Sequence, residues 1–216
     1  MEWRLLESVP PEQLSELLQV ARRRHFARNE VVFHRDDPGD SVHLIHSGRF
    51  AIRVMTPLGD TATIAIRGPG ESFGEMALVA GEARRTATVA ALEAAETLSV
   101  YRTDFELLRR RHPEIDSLLF QFLTNEVRML NERLLEALYV SVEKRVRRRL
   151  LELSELYATS DGAAIELTQE TIAELAGASR PTVNQVLRDE ERRGTIELGR
   201  GRIGIRDADA LARRAR

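Results

Sequence analysis

The stretch Leu167-Thr168-Gln169-Glu170-Thr171-Ile172-Ala173-Glu174-Leu175-Ala176-Gly177-Ala178-Ser179-Arg180-Pro181-Thr182-Val183-Asn184-Gln185-Val186-Leu187 carries the most specific pattern in the 216-residue chain. Residues 168–176 place Ile172 and Leu175 at helical spacing, and 180–192 does the same with Val183, Val186 and Leu187. Gly177-Ala178-Ser179 between them makes the expected reading helix, short glycine-containing turn, helix. Ser179 is suited to cap the second helix, and Pro181 to its first turn, where no backbone donor is needed. Arg180, Thr182, Asn184 and Gln185 then project from the start of that helix. Arginine bonds guanine O6 and N7 in a bidentate way and Asn or Gln does the same to adenine, so this face has the chemistry of major-groove readout.

Downstream of Gly194, the runs 195–198 and 203–205 flank Gly199-Arg200-Gly201-Arg202, which reads as a β-hairpin whose tip presents Arg200 and Arg202 to phosphate. The three pieces make a winged helix-turn-helix. An ordinary helical hairpin with solvated polar residues is the plain alternative; the wing and the basic run at 144–149, read as phosphate-touching or field-tuning, weigh against it. Formal charge supports the same division. Residues 1–140 hold 17 Lys+Arg against 21 Asp+Glu, whereas 141–216 hold 15 against 13.

Upstream, the pattern is different. Between Phe26 and Val100 short β-branched or aromatic runs (31–33, 42–45, 50–55, 61–66, 86–90 and 98–101) alternate with Gly39, Gly48, Gly59, Gly70 and Gly81, the turn spacing of a small all-β sandwich, barrel or jelly roll. Residues 11–23 read as a flanking helix. Thr103-Asp104 suits a helix cap, and Pro113 the opening of the next helix. In that helix Phe120, Leu123, Val127, Leu130, Leu134 and Ala137 recur at 3,4,3,4,3 spacing, the seam of a two-stranded coiled coil. A homodimer follows from that seam; a stripe packed on its own domain is the other reading. The helix at 146–157 and the turn cluster Thr159-Ser160-Asp161-Gly162 lead into the first motif.

Within the β region, Gly74-Glu75-Met76 and, ten residues on, Arg85-Thr86-Ala87 can hold both ends of a nucleotide. A carboxylate takes ribose hydroxyls, an arginine pairs a phosphate, and Thr86 with backbone N–H groups completes the anion's shell. A solvated Glu and Arg on a turn is the plain alternative. His25, His34, His43 and His46 alternate on strands and read as solvent-facing sheet residues rather than haem or metal ligands.

Nearly the whole chain, from about Glu16 to Ile205, resembles the family of bacterial regulators that contains the cAMP receptor protein and the oxygen regulator FNR. The resemblance rests on Gly74, Glu75, Met76, Arg85, Thr86 and Ala87, which match the family's phosphate-binding cassette, and on Ser179-Arg180-Pro181-Thr182-Val183, which match the start of its reading helix. It implies an α+β protein: an N-terminal cyclic-nucleotide-binding β-roll (1–117), a long dimerisation helix (118–140) and a C-terminal winged helix-turn-helix (141–216). It further implies cAMP or a related cyclic nucleotide as effector, with Glu75 on the ribose 2′-hydroxyl and Arg85 with Thr86 on the cyclic phosphate. Leu130 and Asn131 stand where the cAMP receptor protein has a Thr-Ser pair on the adenine amino group; Leu130 cannot hydrogen-bond and Asn131 can. Pro181 and Gln185 replace the family's Glu and second Arg in the reading helix. Expected partners are double-stranded DNA bearing a pseudo-palindromic operator, a second copy of the chain, and RNA polymerase, for which the run Arg22-Arg23-Arg24-His25 stands at the family's contact patch or is simply a solvated run. A regulator of the same fold that is constitutive or senses another small molecule is the alternative.

Other classes are set aside by composition. With no cysteine there is no Cys-held zinc or iron–sulfur cluster, and no metal is expected. No apolar run of 18 residues and no secretory leader is seen, so a cytoplasmic protein without membrane contact is expected. The 76 residues after Val140 hold no catalytic motif, against an enzyme carrying a regulatory nucleotide module.

Overall fold

The computed structural model describes residues 3–7, 9–79, 84–113, 115–159 and 162–216, and the chain divides into two compact units, 1–129 and 130–216. In the first, a 3-10 turn at Arg4–Leu6 and helix α1 (Pro11–Val20) precede eight strands. These are β1 (Arg22–Phe26), β2 (Val31–Phe33), β3 (Ser41–Ser47), β4 (Phe50–Met55), β5 (Thr61–Arg67), β6 (Ser72–Phe73), β7 (Thr88–Ala91) and β8 (Ala95–Tyr101), with α2 (Met76–Val79) between β6 and β7. They form two four-stranded antiparallel sheets, ordered β1-β8-β3-β6 and β2-β7-β4-β5. Gly48, Gly59 and Gly70 sit at positive φ in the turns expected of them, and Gly81 lies outside the described residues.

Two apolar clusters hold this unit. Phe26, Ile45, Phe50, Phe73, Val89, Ala91 and Ala95 fill the inside of the roll. Val42, Leu44 and Val100 instead join Trp3, Leu5, Leu17, Phe105, Leu108, Ile115 and Leu119 beneath the helices α1, α3 (Arg102–Arg111) and the start of α4 (Ile115–Tyr139). β3 is therefore covered on both faces.

That double cover corrects the reading of the histidines. His25 and His34 are exposed and His46 is half-buried, but His43 is 3% exposed, stacked on Phe73 at 4.9 Å and bonded through Nδ1 to Thr97 Oγ1 at 3.1 Å. Alternation marks a solvent face only where a sheet has one, and a doubly covered strand has none. Three smaller differences follow from tertiary pairing. The run Arg22–Phe26, read partly as helix, is an edge strand laid along β8. α3 begins at Arg102 behind Tyr101 without a side-chain cap, so Thr103-Asp104 lies inside it. β7 starts at Thr88 rather than Thr86.

The second unit takes in the end of α4, α5 (Val142–Leu156), β9 (Ala158–Thr159), β10 (Gly162–Ile165), α6 (Gln169–Ala176), α7 (Arg180–Arg192), β11 (Ile196–Gly199), β12 (Arg202–Ile205) and α8 (Ala208–Ala215). Its strands order as β11-β12-β10-β9, and Val146, Leu150, Ile165, Ile172, Val183, Leu187 and Leu211 are buried to 0%. Ser160 and Asp161 of the expected turn cluster lie outside the described residues. α4 carries Phe120, Val127, Leu130 and Leu134 at 57–73% exposure, so these four positions of the heptad stripe are left uncovered by the described residues. Among the described residues no helix is long and apolar enough to cross a membrane.

Burial holds the His43 imidazole at a pKa of about 3, with the Arg85 and Arg24 charges adding to the effect. A histidine free in the unfolded chain takes its proton near 6.5, so between these values the unfolded state binds the extra proton and stability falls as pH falls. Each pH unit in that window costs up to about 1.36 kcal/mol. Chemical denaturation at pH 7 and pH 5 should show a loss in the parent that is about 2 kcal/mol larger than in His43→Gln.

Candidate functional site

The turn from β6 into α2 sets the first site. Gly74 lies at φ +82°, and a Cβ there would stand 2.7 Å from Nη1 of Arg85, so the backbone conformation and the arginine together demand glycine. Arg85 is 6% exposed. Its Nη1 donates to Ser41 O at 2.6 Å, its Nη2 to Ser41 Oγ at 3.0 Å and Asp40 Oδ1 at 3.2 Å, and its guanidinium carbon sits 4.0 Å over the Phe33 ring. Backbone bonds from Asp36 N to Arg85 O and from Arg85 N to Asp37 O, both 2.9 Å, fix the segment that carries it. Nε is buried and has no partner among the described residues. A buried guanidinium N–H left open is a donor that an anion satisfies.

Glu75 follows Gly74 and is half-buried; burial lifts its pKa above the ordinary carboxylate value, against the pull of its own backbone N–H and of Arg67. Arg67 at the end of β5 is a member of the site that sequence reasoning missed. It gives Nη1 to Glu71 Oε1 at 3.1 Å and Nη2 to both oxygens of Glu126 on α4, at 3.1 and 2.9 Å. Burial opposes the Arg67 charge, and Glu126 and Glu71 more than offset it, leaving its pKa above the ordinary value. A pair 59 residues apart leaves no local signature in the sequence.

The structure thus brings Gly74 and Arg85 into contact and sets Glu75 within the same electrostatic cluster. Met76 and Thr86 are exposed beside it. Asn131, like Leu130, is exposed on α4 within the second unit. Glu82 and Ala83 of the cassette lie outside the described residues.

The second site is α7. Ser179 caps it, accepting from Thr182 N at 3.3 Å, and its hydroxyl also pairs with Thr182 Oγ1 at 2.8 Å. Gly177 at φ +57° ends α6 in the left-handed conformation and turns the chain into the cap. Arg180 and Gln185 are exposed; Thr182 and Asn184 are half-buried. Asn184 Oδ1 accepts from Arg188 Nε at 3.3 Å, and an open groove of about 510 Å³ is lined by Pro181, Asn184, Gln185, Arg188, Glu191 and Arg192. Arg188 was missed although Arg180, Asn184 and Arg188 recur every four residues, one helical face. β11 and β12 pair Gly199 with Arg202, so Arg200 and Gly201 form the tip of the wing, with Arg200 and Arg202 exposed.

The basic run at 144–149 does not have the role expected of it. Arg147 and Arg149 are buried. Arg147 pairs with Glu190, and Arg148 and Arg149 both bind Glu136 at the end of α4. Arg145 reaches the carbonyls of Ala137 and Val140 and those of Ala176 and Gly177, at 3.0–3.2 Å. Four of the run's five cations therefore serve internal contacts, which composition cannot distinguish from a phosphate-facing patch.

Comparison with known proteins assigns each unit to a known domain family. A cyclic nucleotide-binding domain matches residues 23–112 and a Crp-like helix-turn-helix domain matches residues 144–214. The chain is 33% identical to the CRP-like cAMP-activated global transcriptional regulator of Mycobacterium tuberculosis over 98% of its own length and 96% of the other. The chain belongs to the family of CRP-like transcription regulators. Within the family it is also 32% identical to the cyclic AMP receptor protein of Thermus thermophilus, over 96% of this chain and 94% of that one. Among solved structures it resembles the Thermus thermophilus catabolite activator protein (31% identity, 98% of both chains, TM-score 0.57). It shares the fold of FixK2 from Bradyrhizobium japonicum at 19% identity, over 90% of this chain and 96% of that one, with a TM-score of 0.78. This CRP-like protein is a DNA-binding transcription regulator with a nucleotide-sensor domain and a winged helix-turn-helix.

The demand for glycine at 74 is measurable. Gly59 has a similar φ, +89°, but open space where its Cβ would stand. Gly59→Ala should cost only the backbone strain, about 1–2 kcal/mol, and Gly74→Ala more, because Arg85 must also move. Thermal denaturation of the two variants should therefore rank Gly74→Ala as the less stable.

Proposed function

We propose that this regulator binds a cyclic nucleotide, cAMP first, in the roll, and that the ligand gates promoter binding by a homodimer. The observation that carries the reading is the buried Arg85, its Nη1 against Gly74 and its Nε without a partner among the described residues. The cyclic phosphate takes Nε–H and, by displacing the Asp40 carboxylate, the neighbouring Nη2–H, which gives the side-on bidentate pair; Thr86 adds its hydroxyl. Glu75 takes the ribose 2′-hydroxyl. Its raised pKa matches a carboxylate that lacks a full complement of donors and gains one on binding.

The sensor is assigned to residues 1–117, the dimerising segment to 118–140 and the DNA-binding domain to 141–216. Two copies pair through the exposed stripe of α4, since Phe120, Val127, Leu130 and Leu134 repeat at coiled-coil spacing and leave a long apolar face uncovered. Two reading helices related by a two-fold axis then address a pseudo-palindrome with half-sites about 10–10.5 bp apart. Ser179 and Thr182 with backbone N–H groups hold phosphate at the helix start, Arg180, Asn184 and Gln185 read bases, and Arg200 and Arg202 of the wing touch phosphate. The protein acts in the cytoplasm with RNA polymerase as its further partner and performs no catalysis. A second reading, a different small-molecule ligand, is favoured by one feature: Leu130, exposed on the stripe, offers no hydrogen bond to an adenine, which leaves Asn131 alone for that contact.

Calorimetry with cAMP and cGMP decides between these readings. Arg85→Leu removes the phosphate partner and should lower cAMP affinity at least tenfold, as loss of a charge-assisted contact costs about 2–5 kcal/mol when buried; affinity equal to the parent's would refute the cassette assignment. Selection of sites from random DNA tests the second half. Arg180→Ala should cost about 1–3 kcal/mol and flatten one base pair per half-site, whereas Arg200→Ala should weaken all sequences alike and lower the salt slope by about one.

A further inference from the structure

Glu190 is a charged residue with no exposed surface, and it sits on the reading helix itself. It shares the core-facing side of α7 with Val183, Val186 and Leu187, away from Arg180, Gln185 and Arg188. Its Oε1 accepts from Arg147 Nε of α5 at 2.6 Å and from Arg214 Nε of α8 at 3.0 Å, and its Oε2 accepts from Thr195 Oγ1 at 2.8 Å. Asp189 extends the cluster, taking Arg214 Nη2 and Arg193 Nε, each at 3.1 Å. Thr195 is a junction in its own right. Its N–H donates to Glu190 O at 3.1 Å, and its carbonyl accepts from Arg206 N at 2.8 Å and Asp207 N at 3.1 Å, where Asp207 caps α8. One carboxylate therefore joins the reading helix to α5, to the start of the wing and to the last helix.

Apolar burial is non-directional, so Val183, Val186 and Leu187 alone leave α7 free to roll or slide by small amounts against α5. Two guanidinium groups arriving from two different helices are directional and fix both settings. Burying such a cluster brings little net stability, because desolvation consumes most of the Coulomb gain. Its effect is therefore on geometry. We infer that Glu190 is a positioning residue that sets the rotation and depth of α7 for base readout, and that α8, through Arg214, is a working part of the DNA-reading head. The inference rests on the reading that α7 enters the major groove.

The test uses the 216-residue chain and three variants. In Glu190→Leu/Arg147→Met/Arg214→Met apolar side chains replace the cluster and keep the core filled. Glu190→Gln keeps the shape but turns an amide N–H₂ toward donors. Arg214→Met, the mildest, removes a partner that is one-third exposed and leaves Arg147 in place. Each is measured for melting temperature and for the ratio of affinities on the selected operator and on random-sequence DNA. The triple variant should melt near or above the parent, as apolar replacements of buried ion clusters do, while its operator preference drops about tenfold. Arg214→Met should lose about threefold with an unchanged salt slope, since no phosphate contact is lost. If Arg214→Met or either folded Glu190 variant keeps the parent's operator preference, the inference is wrong. Failure of the underlying reading is separable: Arg180→Ala would then also leave operator preference intact.

Discussion

A single guanidinium organises the sensor. Arg85 lies beneath a glycine that no other residue can replace without displacing it, over the ring of Phe33, and is tied to the start of β3 through Ser41 and Asp40. Three separate segments are thus aligned around one cation: the end of β2, the approach to β3, and the β6–α2 turn that presents Glu75. A buried arginine cannot shed its proton, so its charge must be met by fixed acceptors. Here these are the carbonyls of Ser41 and Gly74, a hydroxyl and one carboxylate, with Nε left over among the described residues. An anion is the natural complement, and the order of the surrounding loops follows from keeping that position ready.

Arginines decide the second unit as well, but by turning inward. The run at 144–149 binds the end of α4, the helix-turn-helix turn and the reading helix, and only Lys144 in it has no such internal contact described. In the complex we propose, binding of phosphate falls to Arg200, Arg202 and the start of α7. The small positive balance of residues 141–216 therefore understates how much of the cationic surface is committed to holding the head together, and says little about where DNA lies.

What could be read from the residues follows the range of the interactions involved. The helix-turn-helix, its Ser179 cap, the wing and the glycine turns of the roll were legible because caps, turns and amphipathic spacing are local. So was the ten-residue step from Glu75 to Arg85. Long-range facts were not. The burial of His43 depends on helices and a second sheet covering both faces of β3, the edge strand at Arg22–Phe26 exists by pairing with β8, and Arg67 finds Glu126 across 59 residues. The strands β9 and β10, two and four residues long, and the eight-residue helix α8, capped by Asp207, were also unseen, since runs this short carry too little periodicity to stand out.

Both sites meet in one claim: the nucleotide held by Arg85 controls DNA binding by α7. Its most direct measurement is a gel-shift titration on genomic fragments, with and without saturating cAMP, at fixed salt. cAMP should raise affinity for a fragment bearing a pseudo-palindrome by at least about tenfold, a coupling of about 1.4 kcal/mol, and leave random-sequence DNA unaffected. Equal affinity for that fragment with and without cAMP would contradict it.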